Sequence, residues 1–371
     1  MRLSIRLSPL LLTAALIASV TAAHANTFRW TRSADLSTWD VHAQNVGVNN
    51  ALHAAVYDTL VEYNSKTFKP EPSLATEWRR VSPTQLRLSL RKGVTFSDGT
   101  PFTAGDAKFS LERAKAKTSN FSIYAQGIDR VEKVDVHTID IFSDVPNPVL
   151  VNQLTELRIM SKAWAEEHDS VEPKDIKTKE ETFSNRNALG TGPFTLKSWT
   201  PDQRLVLVAN PTWWGKGKYP LNVTEIVYTP IKSNATRTAA LLSGEVDLVI
   251  DPSLQDLARI RQTAGLKVLE GAENRTMFLG MDQFRTELLG SNIKGKNPLK
   301  ELRLRKAQHQ AIDIKTNQRP TSHALREQTV DHHLEPGASE VVLLRELRPE
   351  VLVDWFLMML KQQLPPWERE H

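Results

Sequence analysis

Residues 190–252 carry an order of elements that leaves few folds open. Gly190, Gly192 and Pro193 punctuate a turn, Phe194, Leu196 and Trp199 follow in loose alternation, and 205–209 is an unbroken apolar run. Short apolar stretches bounded by Gly, Pro or Asn are strand signals. Asn210-Pro211 breaks the chain, and 226–231 predicts a further strand. Residues 236–242 have helical composition, and Gly244 stands where a left-handed cap stops a helix. A short buried strand, 246–250, closes on Asp251-Pro252. Strand, hairpin, strand, helix, strand predicts a mixed α/β unit with a helix packed on a sheet.

At 371 residues the chain is long for one core and suits two or three. Its formal charge is +4 and its basic residues interleave with acids. That is not a nucleic-acid footprint, which needs a basic stripe. Residues 1–25 read as a secretory leader: Arg2 and Arg6, an apolar segment over 10–20, and Ala23-His24-Ala25 before Asn26. The apolar segment is shorter than the roughly 20 residues a spanning helix needs, so export with cleavage after Ala25 is expected rather than anchoring. With no cysteine there is neither a disulfide nor a lipid-modified thiol, and the expected product diffuses freely in a periplasm.

Residues 28–40 begin as a strand and turn through 33–37. Over 49–63, Leu52, Ala55, Val56 and Leu60 recur at helical spacing, which puts His53 on a helix surface. Leu86, Leu88 and Leu90 alternate with Arg87 and Ser89 as a half-buried strand, and 97–101 is a tight turn. Thr103 and Asp106 have capping-box spacing, and turn and cap roles explain Asp98 and Asp106 better than a catalytic acid pair does. Residues 130–142 predict a hairpin, 146–157 a helix opened by Pro146-Asn147-Pro148, and 166–186 a solvated helix or loop. Trp213 and Trp214 are neighbours, so they point to different faces and cannot form one stacking platform. No G-x-S-x-G elbow, H-E-x-x-H pair, Walker loop or cysteine nucleophile occurs.

The elements G-T-G-P-F at 190–194, N-P-T-W-W-G at 210–215 and S-G-E-V-D-L-V at 243–249 occur in order. Y-D-T-L-V at 57–61 and F-T-A-G-D at 102–106 precede them. Together they resemble the family-5 extracytoplasmic solute-binding proteins of ABC importers. That resemblance implies an α/β clamshell of the periplasmic-binding-protein type II class. Lobe I would cover 26–274 with an inserted subdomain at about 69–186, and 275–314 would hold a crossing strand (277–282) and the start of lobe II. Two lobes would close on a peptide or related small solute by hinge motion and present it to an inner-membrane ABC permease. The protein would act as a monomer, with no cofactor and no catalysis.

The resemblance also implies ligand contacts at Ser33, Ala34, Asp35, Leu36, Thr38 and Trp39, and at Asp282 near the hinge. The residues themselves leave alternatives open. Trp39 suits a buried aromatic, Asp35 a turn former, and Asp282 a surface hydrogen-bonding role. Past Ile314 the resemblance stops. Residues 315–371 hold one glycine, Gly337, and four of the ten histidines, and 351–360 is nearly all apolar, broken by Asp354. A shifted reading frame near codon 315 is the expectation, with an unusual natural C-terminus as the alternative. The second lobe would then be largely missing, and the first-lobe sheet would keep an unpaired edge. The alternative function is a truncated, non-functional or chaperone-like remnant of a solute-binding protein.

Overall fold

The computed structural model describes residues 26–64, 67, 69–178, 180–219, 221–273, 280–312 and 338–345. Strand β1 (Thr27–Thr31) enters the centre of the main sheet. Residues 47–56 follow as helix α1 (Gly47–Val56), which stops because Tyr57 is extended. The chain then leaves for a smaller unit. Strands β2 (Val61–Tyr63) and β3 (Pro70–Pro72) pair as a short ribbon. Strands β4 (Ala75–Ser82), β5 (Gln85–Leu90), β6 (Arg130–Asp135) and β7 (Thr138–Phe142) form an antiparallel sheet ordered β4-β5-β7-β6.

The alternation predicted for β5 is realised: Leu86, Leu88 and Leu90 are buried, while Arg87 faces the partly solvated side. Arg87 lies opposite Asp140 in register and bonds it bidentately at 2.6 and 2.7 Å, so pleat and charge pairing agree. Helix α2 (Ala104–Ala114) covers this sheet. Its capping box forms as the spacing predicts, with Gly105 N–H donating to Thr103 Oγ1 at 3.1 Å and Thr103 N–H to Asp106 Oδ2 at 2.9 Å. Thr103→Ala is expected to lower stability by about 1 kcal/mol in urea unfolding, because the helix start loses a side-chain acceptor. The predicted helix over 146–157 shrinks to one turn at Leu150–Gln153.

After this excursion the chain returns to the main sheet through β8 (Phe194–Thr200), β9 (Arg204–Ala209), β10 (Glu225–Tyr228) and β11 (Leu248–Ile250). A helix at Asn234–Ser243 joins β10 to β11 and ends at Gly244, whose φ of 80° is left-handed as the sequence anticipates. Two further strands, β12 (Leu266–Glu273) and β13 (Ala338–Arg345), were not foreseen. The sheet order is β12-β13-β11-β1-β10-β9-β8. β13, drawn from the C-terminal tail, pairs antiparallel with both β11 and β12, so β11 is not an edge and the open sheet ends on β12 and β8.

Two large cores result. One joins Phe28, Trp30, Trp39, Leu52, Phe194, Tyr228, Leu248 and Ile250, and the other fills the smaller unit around Leu88, Phe96, Phe102 and Ile139. Trp213 belongs to the first core, and Trp214 packs against both, so this pair is packing material as expected. On β11 the faces divide: Leu248 and Ile250 face the first core, while Val249 joins Ala240, Leu241, Leu257 and Ile260 beneath the connecting helix. Helix α1 and helix 234–243 therefore cover opposite faces of one sheet.

Candidate functional site: the carboxyl edge of three parallel strands

Strand β1 runs parallel to both β10 and β11, its two neighbours. The chain leaving β1 turns toward α1 on one face, and the chain leaving β10 crosses the other face to reach β11. Adjacent parallel strands whose connections depart to opposite faces leave a crevice at their carboxyl ends, the usual ligand position in open α/β sheets. Loops 32–37, 229–233 and 251–253 meet there.

Side chains bind these loops to one another. Arg32 donates through Nε to Asp251 at 2.6 Å, Ile231 N–H donates to Arg32 O at 2.9 Å, and Thr31 Oγ1 donates to Thr229 O at 2.6 Å. The Tyr228 hydroxyl donates to Ala34 O. Asp251 adopts φ of +57°, a left-handed conformation that Asp tolerates better than most residues.

The residues expected to touch ligand divide by accessibility. Ala34 is exposed, and Ser33 and Asp35 are partly so. Asp35 is engaged: its carboxylate accepts locally from Leu36 N–H at 2.7 Å, as a turn former's would, and across the fold from Asp202 N–H at 2.6 Å, and approaches Trp199 Nε1 at 3.4 Å. Leu36, Thr38 and Trp39 are buried, Trp39 within the first core. Asp282 lies in a separate turn, where it accepts from Phe284 and Arg285 N–H and pairs with Arg285 Nη1 at 2.6 Å. Arg285 beside it holds its carboxyl below the usual range. Residues 277–279, the first half of the expected crossing strand, lie outside the described residues, and 280–282 are not strand.

Beneath the loop after β1 sits a buried network. The Asp40 carboxylate receives Arg113 Nη1 at 2.7 Å and Nη2 at 2.6 Å, His42 N–H at 3.0 Å and Ser184 Oγ at 3.1 Å. Asp40 and Arg113 side chains are both 0% exposed. Burial alone would raise the carboxyl, yet Arg113 and the His42 amide outweigh it and hold it down at about 2. Ser170, Ser184 and Asn185 are buried here, so the expectation that 166–186 is wholly solvated is corrected.

His53 also departs from expectation. It is fully buried, not on the helix surface, because the loop 36–43 folds over that face of α1 and His53 Nε2–H donates to Thr38 O at 2.8 Å. Burial brings its pKa down to about 4. A histidine whose folded pKa lies below the unfolded 6.5 contributes stability in full above pH 6.5, and loses it as pH falls toward 4. His53→Gln is expected to flatten the stability–pH curve by up to about 1.4 kcal/mol per pH unit between pH 6 and 4.5. Urea titrations at several pH values read this directly, and identical slopes would contradict it.

Sequence reasoning missed Arg32, Tyr228, Arg237 and Asp251 at this edge. Only the Asp251-Pro252 break after a strand hinted at one of them; the others fall inside ordinary strand or helix patterns. Among the described residues no cluster of three or more His, Cys, Asp or Glu could hold a metal, and no helix is long and apolar enough to cross a membrane.

This architecture is that of a type II periplasmic binding protein. Its fold matches the ABC transporter-associated periplasmic binding protein DppA from Helicobacter pylori in complex with the peptide STSA, at TM-score 0.69 and 22% identity, over 91% of this chain and 65% of that one. It also matches the binding protein AgaA from Agrobacterium in complex with agropinic acid, at TM-score 0.59 and 25% identity, over 67% of this chain and 48% of that one. Residues 69–320 match the model of bacterial extracellular solute-binding proteins, family 5 Middle, and the chain belongs to that family. Among curated relatives, heme-binding protein A of Haemophilus influenzae is 30% identical over 72% of this chain and 49% of its own length. The periplasmic oligopeptide-binding protein OppA of Escherichia coli is 29% identical over 48% of this chain and 35% of its own. The chain spans half or less of the length of these two relatives.

Proposed function

We propose that this chain supplies the first-lobe portion of a periplasmic solute-capture protein that serves an ABC importer, binding a peptide or related small solute without chemistry. The observation that carries this reading is the carboxyl edge of parallel β1, β10 and β11, where the partly exposed Ser33 and the exposed Ala34 stand beside Arg32 and Asp251. An extended peptide laid along residues 33–35 would exchange main-chain hydrogen bonds with them, the mode by which strand addition gives affinity without side-chain selectivity. The peptide-binding names of several relatives support that substrate class.

Export with cleavage after Ala25, partnership with an inner-membrane permease and a monomeric state belong to the same proposal. So do ligand contacts from Ser33, Ala34 and Asp35. Leu36, Thr38 and Trp39 shape the loop from beneath, and Asp282 acts at the start of the second lobe. Calorimetric titration with a pool of di- to tetrapeptides, beside a nickel–histidine chelate, tests the reading. Saturable heat from the peptides supports it. Heat from the chelate alone would move the substrate class, and none from either would remove capture by this chain.

A further inference from the structure

Arg237 sits in the first turns of the helix at Asn234–Ser243, yet its side chain is only 2% exposed and turns back under the carboxyl edge. Its Nη1 donates to Ile231 O at 2.5 Å and to Lys232 O at 3.0 Å, both in the loop after β10. Its Nη2 donates to Asp251 O at 2.8 Å, just past β11, and to Asn234 Oδ1. One guanidinium thus holds two of the three loops, and it fixes the residue whose backbone is left-handed. The carboxylate of that residue, Asp251, in turn receives Arg32 from the third loop.

We infer that Arg237 is the positioning residue of the capture edge, setting the relative placement of loops 32–37, 229–233 and 251–253 without touching ligand. This rests on the edge proposed above. Burial disfavours the charged guanidinium, and a group bonded to carbonyls and a side-chain amide rather than to a carboxylate is costly to hold there. Simple packing would be served as well by an apolar side chain of the same length. Lysine cannot replace it, since a single ammonium cannot span acceptors on two loops as a planar fork does.

The test uses the full chain with Arg237→Lys and, as a milder variant, Asp251→Gly. Glycine keeps the left-handed backbone and the carbonyl that Arg237 bonds, and removes only the carboxylate facing Arg32. Hydrogen exchange read by mass spectrometry is expected to show amides of 229–233 and 251–253 opening roughly tenfold faster in Arg237→Lys. Asp251→Gly is expected to loosen 31–35 and leave 229–233 at the wild-type rate. The β4–β7 sheet should exchange as in wild type in both variants. Wild-type rates at all three loops in Arg237→Lys would overturn the inference, as would acceleration spread evenly over the whole chain. If Arg237→Lys fails to fold, the decision falls to Asp251→Gly, and unchanged exchange at 31–35 would overturn the coupling. The peptide pool separates the two claims. Weaker binding by the variants with edge-confined exchange supports both, whereas a wild type that binds no peptide, with variants that still show the edge-confined pattern, removes the proposed function and leaves Arg237 in its role.

Discussion

Asp40→Ala should be among the most damaging single substitutions in the chain, with an expected loss of about 3–5 kcal/mol of folding stability. The reason is the asymmetry of buried charge. With Asp40 present, Arg113 is neutralised by a bidentate contact and also bonds Ser170 O at 3.0 Å. Without it, a guanidinium with no solvent exposure keeps its charge and loses its partner. Removing both charges should cost less than removing one, so Asp40→Leu with Arg113→Met is expected to recover part of the loss. The pH dependence carries the same sign. The Asp40 carboxyl, held near 2, contributes stability that is present above its unfolded pKa of about 3.9 and disappears as pH falls toward 2. A loss below about 1 kcal/mol for Asp40→Ala would show that the pair is solvated in solution.

The second large effect is expected at Gly190. The turn 190–193 is pressed against the end of α1, where Gly192 N–H donates to Val56 O at 2.9 Å and Gly190 O accepts Ser97 N–H at 3.0 Å. A Cβ at Gly190 would lie 2.0 Å from Val56 O and 2.8 Å from Val56 C. Both contacts are backbone, so no flexible side chain can give way, and the end of α1 must move. Thr191 Oγ1 and Trp214 Nε1 both donate to the half-buried Asp58 carboxylate at 2.8 Å, which ties the same turn to the junction of the two cores. Gly190→Ala is therefore expected to lose about 3 kcal/mol or more, at the upper end of overpacking costs, in a denaturant titration. A stability equal to wild type would mean that the turn and helix are not in contact.

These two sites show what the sequence disclosed and what it withheld. Elements with a strong local cause were legible: the alternation of Leu86, Leu88 and Leu90, the Thr103–Asp106 cap, the Gly244 stop and the packing role of Trp213 and Trp214. Each depends on residues within a few positions of one another. Features set by distant contacts were not legible. His53 looks like a surface residue until the loop 36–43 closes over it, and nothing in the helical composition of 236–242 marks Arg237 until Ile231, Lys232 and Asp251 are seen around its guanidinium. The tail strand β13 lies beyond the end of the family match, so no family motif marked its pairing with β11 and β12. For the candidate site, the loop 33–39 was legible as a segment. Which of its side chains face solvent depends on packing against α1 and the first core.

The edge of three parallel strands is the centre of this account, and photo-crosslinking tests it most directly. Dipeptides bearing a benzophenone side chain would be irradiated with the purified chain and the adducts mapped by mass spectrometry. Label concentrated in 32–35, 229–233 and 251–253, and displaced by an excess of unlabelled peptide, is the predicted result. Label that ignores competitor, or that falls on the β4–β7 sheet and spares those loops, would contradict it.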